Sequence, residues 1–502
     1  MGLEVVTTRY GKIKGIEKDG GAYTVFKGIP YAEPPIGENR WRPPKPPKGW
    51  DGVYQAEHFG GICPQVKDGS DFYLQECGPN EEILSEDCLY MNIWTPAQRA
   101  DEKLPVILWI HGGANVTGYG HEKMFDGKGF CEQGVILVTF NWRVNIFGWL
   151  VNEELIKESE RRICGNYGVL DQIAALDFVR ENIAAFGGNP DNITIGGESA
   201  GSSAVMNLCS TPLARGKFKN AIMESGGGFD LFTSFGMRDM EEACRKTSLE
   251  KLLGVKTLAE ARALSAEELL ERIGRPEAAG EYWPLTVVDG YVFPKTIART
   301  ALDDECSKVN YLLGYNGDET HMYEPDFERN HFIKEMEEEY GPYAKDYFAL
   351  CDFLEEKEKF EEYMKRRNGE ILKTGAVVLA DLMDSQGHPL YLYCFDRKMP
   401  GDDAGSYHAA ELWYVFKTLD RNWRTFTEKD YSLSDEMAKR WAMFAKTGVP
   451  NAEGCEEWKP YTKEEPYTMV FDLESGMKNL GENQRVIFRK EFVLGQKAVR
   501  KG

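Results

Sequence analysis

From about residue 90 the chain alternates apolar runs of strand length with helical stretches, and this alternation restricts the fold more than any other feature. Residues 91–94, 106–110, 136–140 and 221–224 are continuously apolar over most of their length, the pattern of strands covered on both faces. Between them, over residues 167–186, Val169, Ile173, Leu176, Val179 and Ile183 recur at intervals of three and four and form one apolar helical stripe. Gly187-Gly188-Asn189-Pro190 is expected to end that helix. Strands separated by helices of this length imply a parallel sheet with crossover helices, an α/β fold. Strand-like runs return at 311–315 and 390–395.

The flanking segments read differently. Runs at 4–8, 12–16 and 24–29, broken by glycine turns, predict a small antiparallel start. Helical, acidic stretches at roughly 230–300 and 325–375 are expected to lie over the sheet as insertions. No internal repeat or low-complexity linker divides the chain, which points to one domain spanning residues 1–502.

Charge and composition exclude several classes of partner. A net charge of −21 repels nucleic acid and anionic membrane surfaces. The apolar runs at 104–110 and 135–140 are far too short to span a bilayer. The opening residues MGLEVVTTRYGKIKG hold no apolar signal core, so a cytoplasmic setting is expected. The eleven cysteines are scattered, with no CxxC pair or Cys/His cluster, so no metal site is expected and most thiols should be reduced and buried.

GGESAGSS, residues 196–203, follows the β-prone run 192–195 and precedes a helix beginning near Ala200. A serine between two glycines at a strand-to-helix turn is the pattern of a nucleophile elbow. The glycines, Gly197 and Gly201, permit a turn too sharp for side chains, and the turn lifts the Ser199 hydroxyl clear of the backbone. A serine hydroxyl needs a base, and the base needs an acid to orient it, in the chain order serine, acid, histidine. Four of the seven histidines lie well beyond Ser199: His321, His331, His388 and His408. His388 precedes the strand at 390–395 and so lies at the wrong sheet end, while His331 falls in an acidic helical stretch. His408, in GDDAGSYHAAELW, follows that strand at the C-terminal edge, where open α/β sheets build their sites. The strand at 311–315 is followed by two carboxylates, Asp318 and Glu319, either of which fits the acid on position alone.

In order along nearly its whole length, the chain resembles the type-B carboxylesterases, the family of para-nitrobenzyl esterases, mammalian carboxylesterases and cholinesterases. The resemblance rests on FKGIPYAEPPIGENRW (26–41), SEDCLYMNIWTP (85–96), HGGAN (111–115), FNWRVNIFGWL (140–150), the stretch 165–201 ending in GGESAG, GYNGDET (314–320), YHAAELWYVF (407–416) and WAMFAKTGVPN (441–451). It implies an α/β-hydrolase fold and a serine esterase that needs no metal or organic cofactor. Ser199 then matches the nucleophile, His408 the base and Glu319, rather than Asp318, the acid, with Thr320 where the family has glycine. The oxyanion donors fall on the backbone N–H groups of Gly113, Ala114 and Ala200, Ala114 standing for a glycine and Asn115 for an aromatic residue. Glu198 is implied to lie near the histidine, and Ser225 to be a buried serine near the acid. Cys63 and Cys88 match the ends of a disulfide loop, with Cys77 as a rival partner. Gly78 stands ten residues before Cys88, where cholinesterases carry the tryptophan that holds quaternary ammonium, so a choline-ester specialist is not expected. The expected substrate is a small-molecule ester, neutral, of short-to-medium acyl chain or aromatic. The alternatives are a lipase or peptidase on the same fold, and a non-catalytic cholinesterase-like adhesion module that would lack part of the triad. Activity through a histidine base should rise between about pH 6 and 7.

Overall fold

The apolar runs assemble into one eleven-stranded sheet. In chain order its strands are β1 (Ile16–Lys18), β2 (Tyr23–Pro30), β3 (Tyr90–Thr95), β4 (Leu104–Ile110), β5 (Ile136–Phe140), β6 (Gly188–Glu198), β7 (Asn220–Glu224), β8 (Asn310–Asn316), β9 (Leu390–Phe395), β10 (Thr468–Phe471) and β11 (Gly476–Lys478). Across the sheet they run β11-β10-β9-β8-β7-β6-β4-β5-β3-β2-β1. Every pair from β10 through β5 is parallel. The outer pairs β11/β10, β5/β3, β3/β2 and β2/β1 are antiparallel. The computed structural model describes residues 2–66, 71–78, 82–226, 228, 237–282, 284–479, 481 and 483–495.

Strand periodicity divides the core between the two faces. Val106, Leu108 and Ile110 of β4 pack with Val169, Leu176 and Val205 on one side. Ile107 and Trp109 of the same strand pack with Tyr393, Trp413 and Trp441 on the other. The principal helices are α1 (Tyr167–Asn182), α2 (Ala200–Ser210), α3 (Arg329–Tyr340), α4 (Lys357–Ser385), α5 (Glu428–Thr447) and α6 (Gln484–Val493). The predicted stripe of α1 is buried along its whole length, and the chain leaves it through a 3-10 turn, Ile183–Phe186, that Gly187 closes at φ 81°.

Three expectations need correction. The run at 24–29 does not join the N-terminal hairpin but pairs with β3 in the main sheet. The hairpin, Val5–Thr8 with Gly11–Lys14, takes Val53–Gln55 as its third strand instead. Gly188-Asn189-Pro190 opens β6 rather than forming a loop, because Gly188 already pairs with Leu104. The second insertion is not bounded at 375: α4 runs on as one helix to Ser385, and its Val377, Val378 and Leu379 enter the sheet-side core. Its first half instead joins α3 and α6 in a separate core of Phe332, Met336, Phe360, Met364, Phe488 and Phe492. The first insertion contains Met240–Lys246, Leu249–Leu253, Leu258–Ala263, Ala266–Ile273 and Ile297–Leu302, and its start at 229–236 lies outside the described residues. Among the described residues no helix is long and apolar enough to cross a membrane.

Candidate active site

The elbow forms because nothing larger than glycine fits around it. A Cβ on Gly201 would lie 2.1 Å from the Ile110 carbonyl, and one on Gly197 would lie 2.5 Å from the Gly201 backbone. Between them Ser199 takes φ 56° and ψ −124°, a conformation that costs a non-glycine residue about 1–3 kcal/mol. The neighbouring strand holds it there through the Ser199 N–H bond to the Glu224 carbonyl, 2.9 Å. The next residue, Ala200, opens α2, so its N–H has no acceptor within the helix.

His408 reaches the serine from the loop after β9. Its Nε2 lies 2.9 Å from Ser199 Oγ, and its Nδ1 lies 2.6 Å from Glu319 Oε2. Glu319 is fully buried at φ 50° just past β8, and its other oxygen accepts the Asn316 N–H at 2.7 Å. Asp318, the competing carboxylate, turns away. Its Oδ2 takes Lys398 Nζ at 2.7 Å and the Ser406 N–H at 3.0 Å, while Arg366 lies 3.4 Å from Oδ1. The Lys398 bond offsets burial and holds Asp318 below the usual carboxylate range.

The loop after β4 comes up against the elbow. Gly113, Ala114 and Asn115 all have positive φ, at 99°, 53° and 61°, so the backbone curls around the elbow. A Cβ on Gly112 would lie 3.1 Å from Ser199 Cβ, which shows how closely this loop approaches the serine. Ala114 and Ala200 line the same cavity as Ser199. Asn115 donates through Nδ2 to the Pro284 carbonyl at 2.9 Å, which ties the oxyanion loop to the first helical insertion.

A ring of carboxylates surrounds His408. Glu198 Oε1 lies 3.2 Å from Nε2, and Glu224 and Glu411 are fully buried nearby. Ser225 is buried, and its Oγ lies 3.5 Å from Oε1 of Glu411 rather than against Glu319. Burial disfavours the imidazolium, but the charges of Glu198 and Glu319 outweigh it and push His408 up to about 9. That lies above the inflection expected between pH 6 and 7. Burial also holds the Glu198 carboxyl well above its ordinary range and pushes Glu411 up to about 7.

The other histidines take other places. His388 contacts Asp304 at 2.8 Å, away from the serine, and His321 stacks on Phe72 with ring centroids 3.6 Å apart. His331, set aside in the sequence as part of an acidic helix, lines the same cavity as Ser199 and bonds Asp326 at 2.8 Å. Arg367, paired bidentately with Glu335, also lines it. Neither position carries a motif. Glu411 did carry a signal, an acidic residue inside the apolar run AAELWYVF. Cys63 and Cys88 are buried thiols in hydrogen-bond contact, not a disulfide, and Cys77 is bonded to neither.

The geometry can pass a proton from Ser199 to His408 and hold the resulting cation against Glu319. Residues 3–489 match the family model described as "Carboxylesterase family". The chain belongs to the carboxylesterase family. Among relatives, the para-nitrobenzyl esterase of Bacillus subtilis (strain 168) is 34% identical, covering 97% of this chain and 98% of that protein. The liver carboxylesterase of Sus scrofa is 32% identical, covering 99% and 94%. A solved PNB esterase superposes with a TM-score of 0.82 at 31% identity, covering 97% and 99% of the two chains. The carboxylesterase of Geobacillus stearothermophilus at pH 6.2 gives 0.81 at 32% identity, covering 98% and 99%. This member of the family is thus an α/β-hydrolase that hydrolyses carboxylic esters.

Proposed function

We propose that Ser199, His408 and Glu319 carry this hydrolysis through an acyl-enzyme, acting on neutral esters with short-to-medium or aromatic acyl groups. The observation that carries the reading is the continuous contact from Ser199 Oγ through the His408 ring to Glu319 Oε2. His408 Nε2 accepts the hydroxyl proton as Ser199 Oγ attacks the ester carbonyl, and Glu319 stabilises the imidazolium. The N–H groups of Gly113, Ala114 and Ala200 receive the oxyanion. His408 then protonates the leaving alcohol, and the same base activates the water that releases the acid. A single domain with both helical insertions over this gorge is supported by the cavity lining, to which α3, α4 and Leu285 of the first insertion contribute. A reducing, cytoplasmic setting fits eleven cysteines held as thiols, most of them buried.

The cavity supports the substrate class. Its volume of about 360 Å³ suits a small ester. Glu324, Asp326 and Glu335 in its wall oppose anionic esters, while Leu285, Phe332 and Leu372 offer an apolar surface to a neutral acyl group. The test is kcat/KM across acetate, butyrate, octanoate and palmitate esters of one alcohol. A maximum at butyrate or octanoate is expected. A maximum at palmitate with a jump at the micelle threshold would mean a lipase, and preferential cleavage of the matching amide would mean a peptidase.

A further inference from the structure

Cys164 and Cys244 belong to no part of the hydrolytic site, yet their sulfur atoms lie 3.6 Å apart across 80 residues of sequence. Cys164 sits in the loop leading into α1, and Cys244 on the helix Met240–Lys246 of the first insertion. Both side chains are buried, at 1% and 5% exposure. The contact is built rather than incidental: the Cys164 N–H also points at Met240 Sδ, 3.3 Å away, so one turn of the helix engages the loop at two points.

The same junction joins the insertion to the catalytic framework. Asn166 bonds Val287 in both directions, Nδ2 to the carbonyl at 2.9 Å and N–H to Oδ1 at 3.0 Å, and bonds Asp289 at 2.9 Å. Arg238–Asp239, just before the Cys244 helix, pairs with Val287–Val288. The chain between this pairing and the cavity holds Pro284, which receives Asn115, and Leu285, which lines the cavity. The thiol pair therefore sits where the insertion is fastened beside the oxyanion loop.

We propose that Cys164 and Cys244 form a reversible intramolecular disulfide, an oxidative modification site that fastens the first insertion to the base of α1. A disulfide needs its sulfurs about 1.5 Å closer than they stand, a movement within reach of side-chain rotation when both sit at the same packed junction. The hydrogen bond from Cys164 favours the Cys244 thiolate and lowers its pKa, so Cys244 is the attacking sulfur and Cys164 the resolving one. With hydrogen peroxide as oxidant, the Cys244 thiolate attacks one peroxide oxygen, the O–O bond breaks and hydroxide leaves, so Cys244 becomes a sulfenic acid. The Cys164 sulfur then attacks the Cys244 sulfur, the S–O bond breaks, and the oxygen leaves as water. Two thiols and one hydrogen peroxide give one disulfide and two waters. A low-molecular-weight dithiol reverses the change.

The test treats the full chain with hydrogen peroxide, blocks remaining thiols, and maps peptides without reduction. The expected result is a cross-linked pair of peptides containing Cys164 and Cys244, with a loss of about 2 Da that dithiothreitol reverses. The wild-type melting temperature should rise by about 5 °C on oxidation. Cys164→Ser and Cys244→Ser should show no such rise. Cross-linking of Cys63 with Cys88 alone would overturn the proposal, as would oxygen added at Cys244 with Cys164 still free to alkylate. The peptide map is read on wild type, so it decides the matter even where a variant folds poorly. A cross-link with unchanged melting would overturn the fastening role.

Discussion

Glu198 Oε1 lies 3.2 Å from His408 Nε2, the same nitrogen that faces Ser199 Oγ at 2.9 Å. One imidazole nitrogen therefore stands between the nucleophile and a buried carboxylate, while the other binds Glu319. Among the described residues Glu198 Oε1 has no hydrogen-bond partner, and His408 is the cationic group it faces.

This relationship fixes the pH dependence. Catalysis needs neutral His408, and the carboxylates favour the imidazolium, raising it toward about 9. The inflection of kcat/KM should accordingly fall above the ordinary histidine value of about 6.5. Glu198→Gln removes one of those charges and should move the inflection to lower pH. An unchanged inflection in that variant, measured over pH 5 to 10, would remove Glu198 from the account. The same shift makes the charged His408 a stabilising group below about pH 6.5, an effect lost as pH rises through about 9.

The choice between the two carboxylates after β8 is equally sharp. Glu319→Gln should lower kcat by about 10³–10⁴-fold, because the imidazolium loses its partner and the ring its tautomer. Asp318→Asn breaks the bond to Lys398 without touching His408, so its loss should be at most about tenfold. Steady-state kinetics of the two variants checks the order, and a reversed order would place Asp318 in the triad.

A third prediction concerns stability. Glu76 is buried and accepts bonds from Tyr407 at 2.7 Å, Asn422 at 3.0 Å and Trp423 at 2.8 Å, besides an ion pair with buried Arg424 at 2.6 Å. Tyr407 immediately precedes His408, so this carboxylate anchors the loop that carries the base. Glu76→Ala leaves Arg424 with only Asp402 as counter-charge and should cost about 3–5 kcal/mol. Denaturant unfolding measures it, and a loss below about 1 kcal/mol would contradict the anchoring role.

The parallel centre of the sheet was legible because strands covered on both faces are largely apolar, as Ile136-Leu137-Val138 of β5 and Ala221-Ile222-Met223 of β7 are. The edge strands were not. β11 is half exposed and three residues long, and β10 has nothing in its sequence to separate it from a buried turn. Ser199 was legible because the backbone geometry of an elbow demands glycine at 197 and 201, which leaves a local pattern. The charges that tune His408 were less so. Glu411 acquires its influence from burial among residues far away in sequence, such as Asn316, whose Nδ2 donates to Glu411 Oε2 at 2.5 Å. His331 and Arg367 reach the cavity because α3 and α4 pack over it, a tertiary fact that a helical pattern cannot carry.

The most direct test of the central claim is the site of covalent capture by an active-site phosphonate. The protein is inactivated with a fluorophosphonate, digested, and mapped by mass spectrometry. The account predicts one adduct per chain, on Ser199, with ester hydrolysis lost in proportion to labelling and no adduct in Ser199→Ala. Stoichiometric labelling at any other serine, or full hydrolysis by the Ser199→Ala protein, would contradict it.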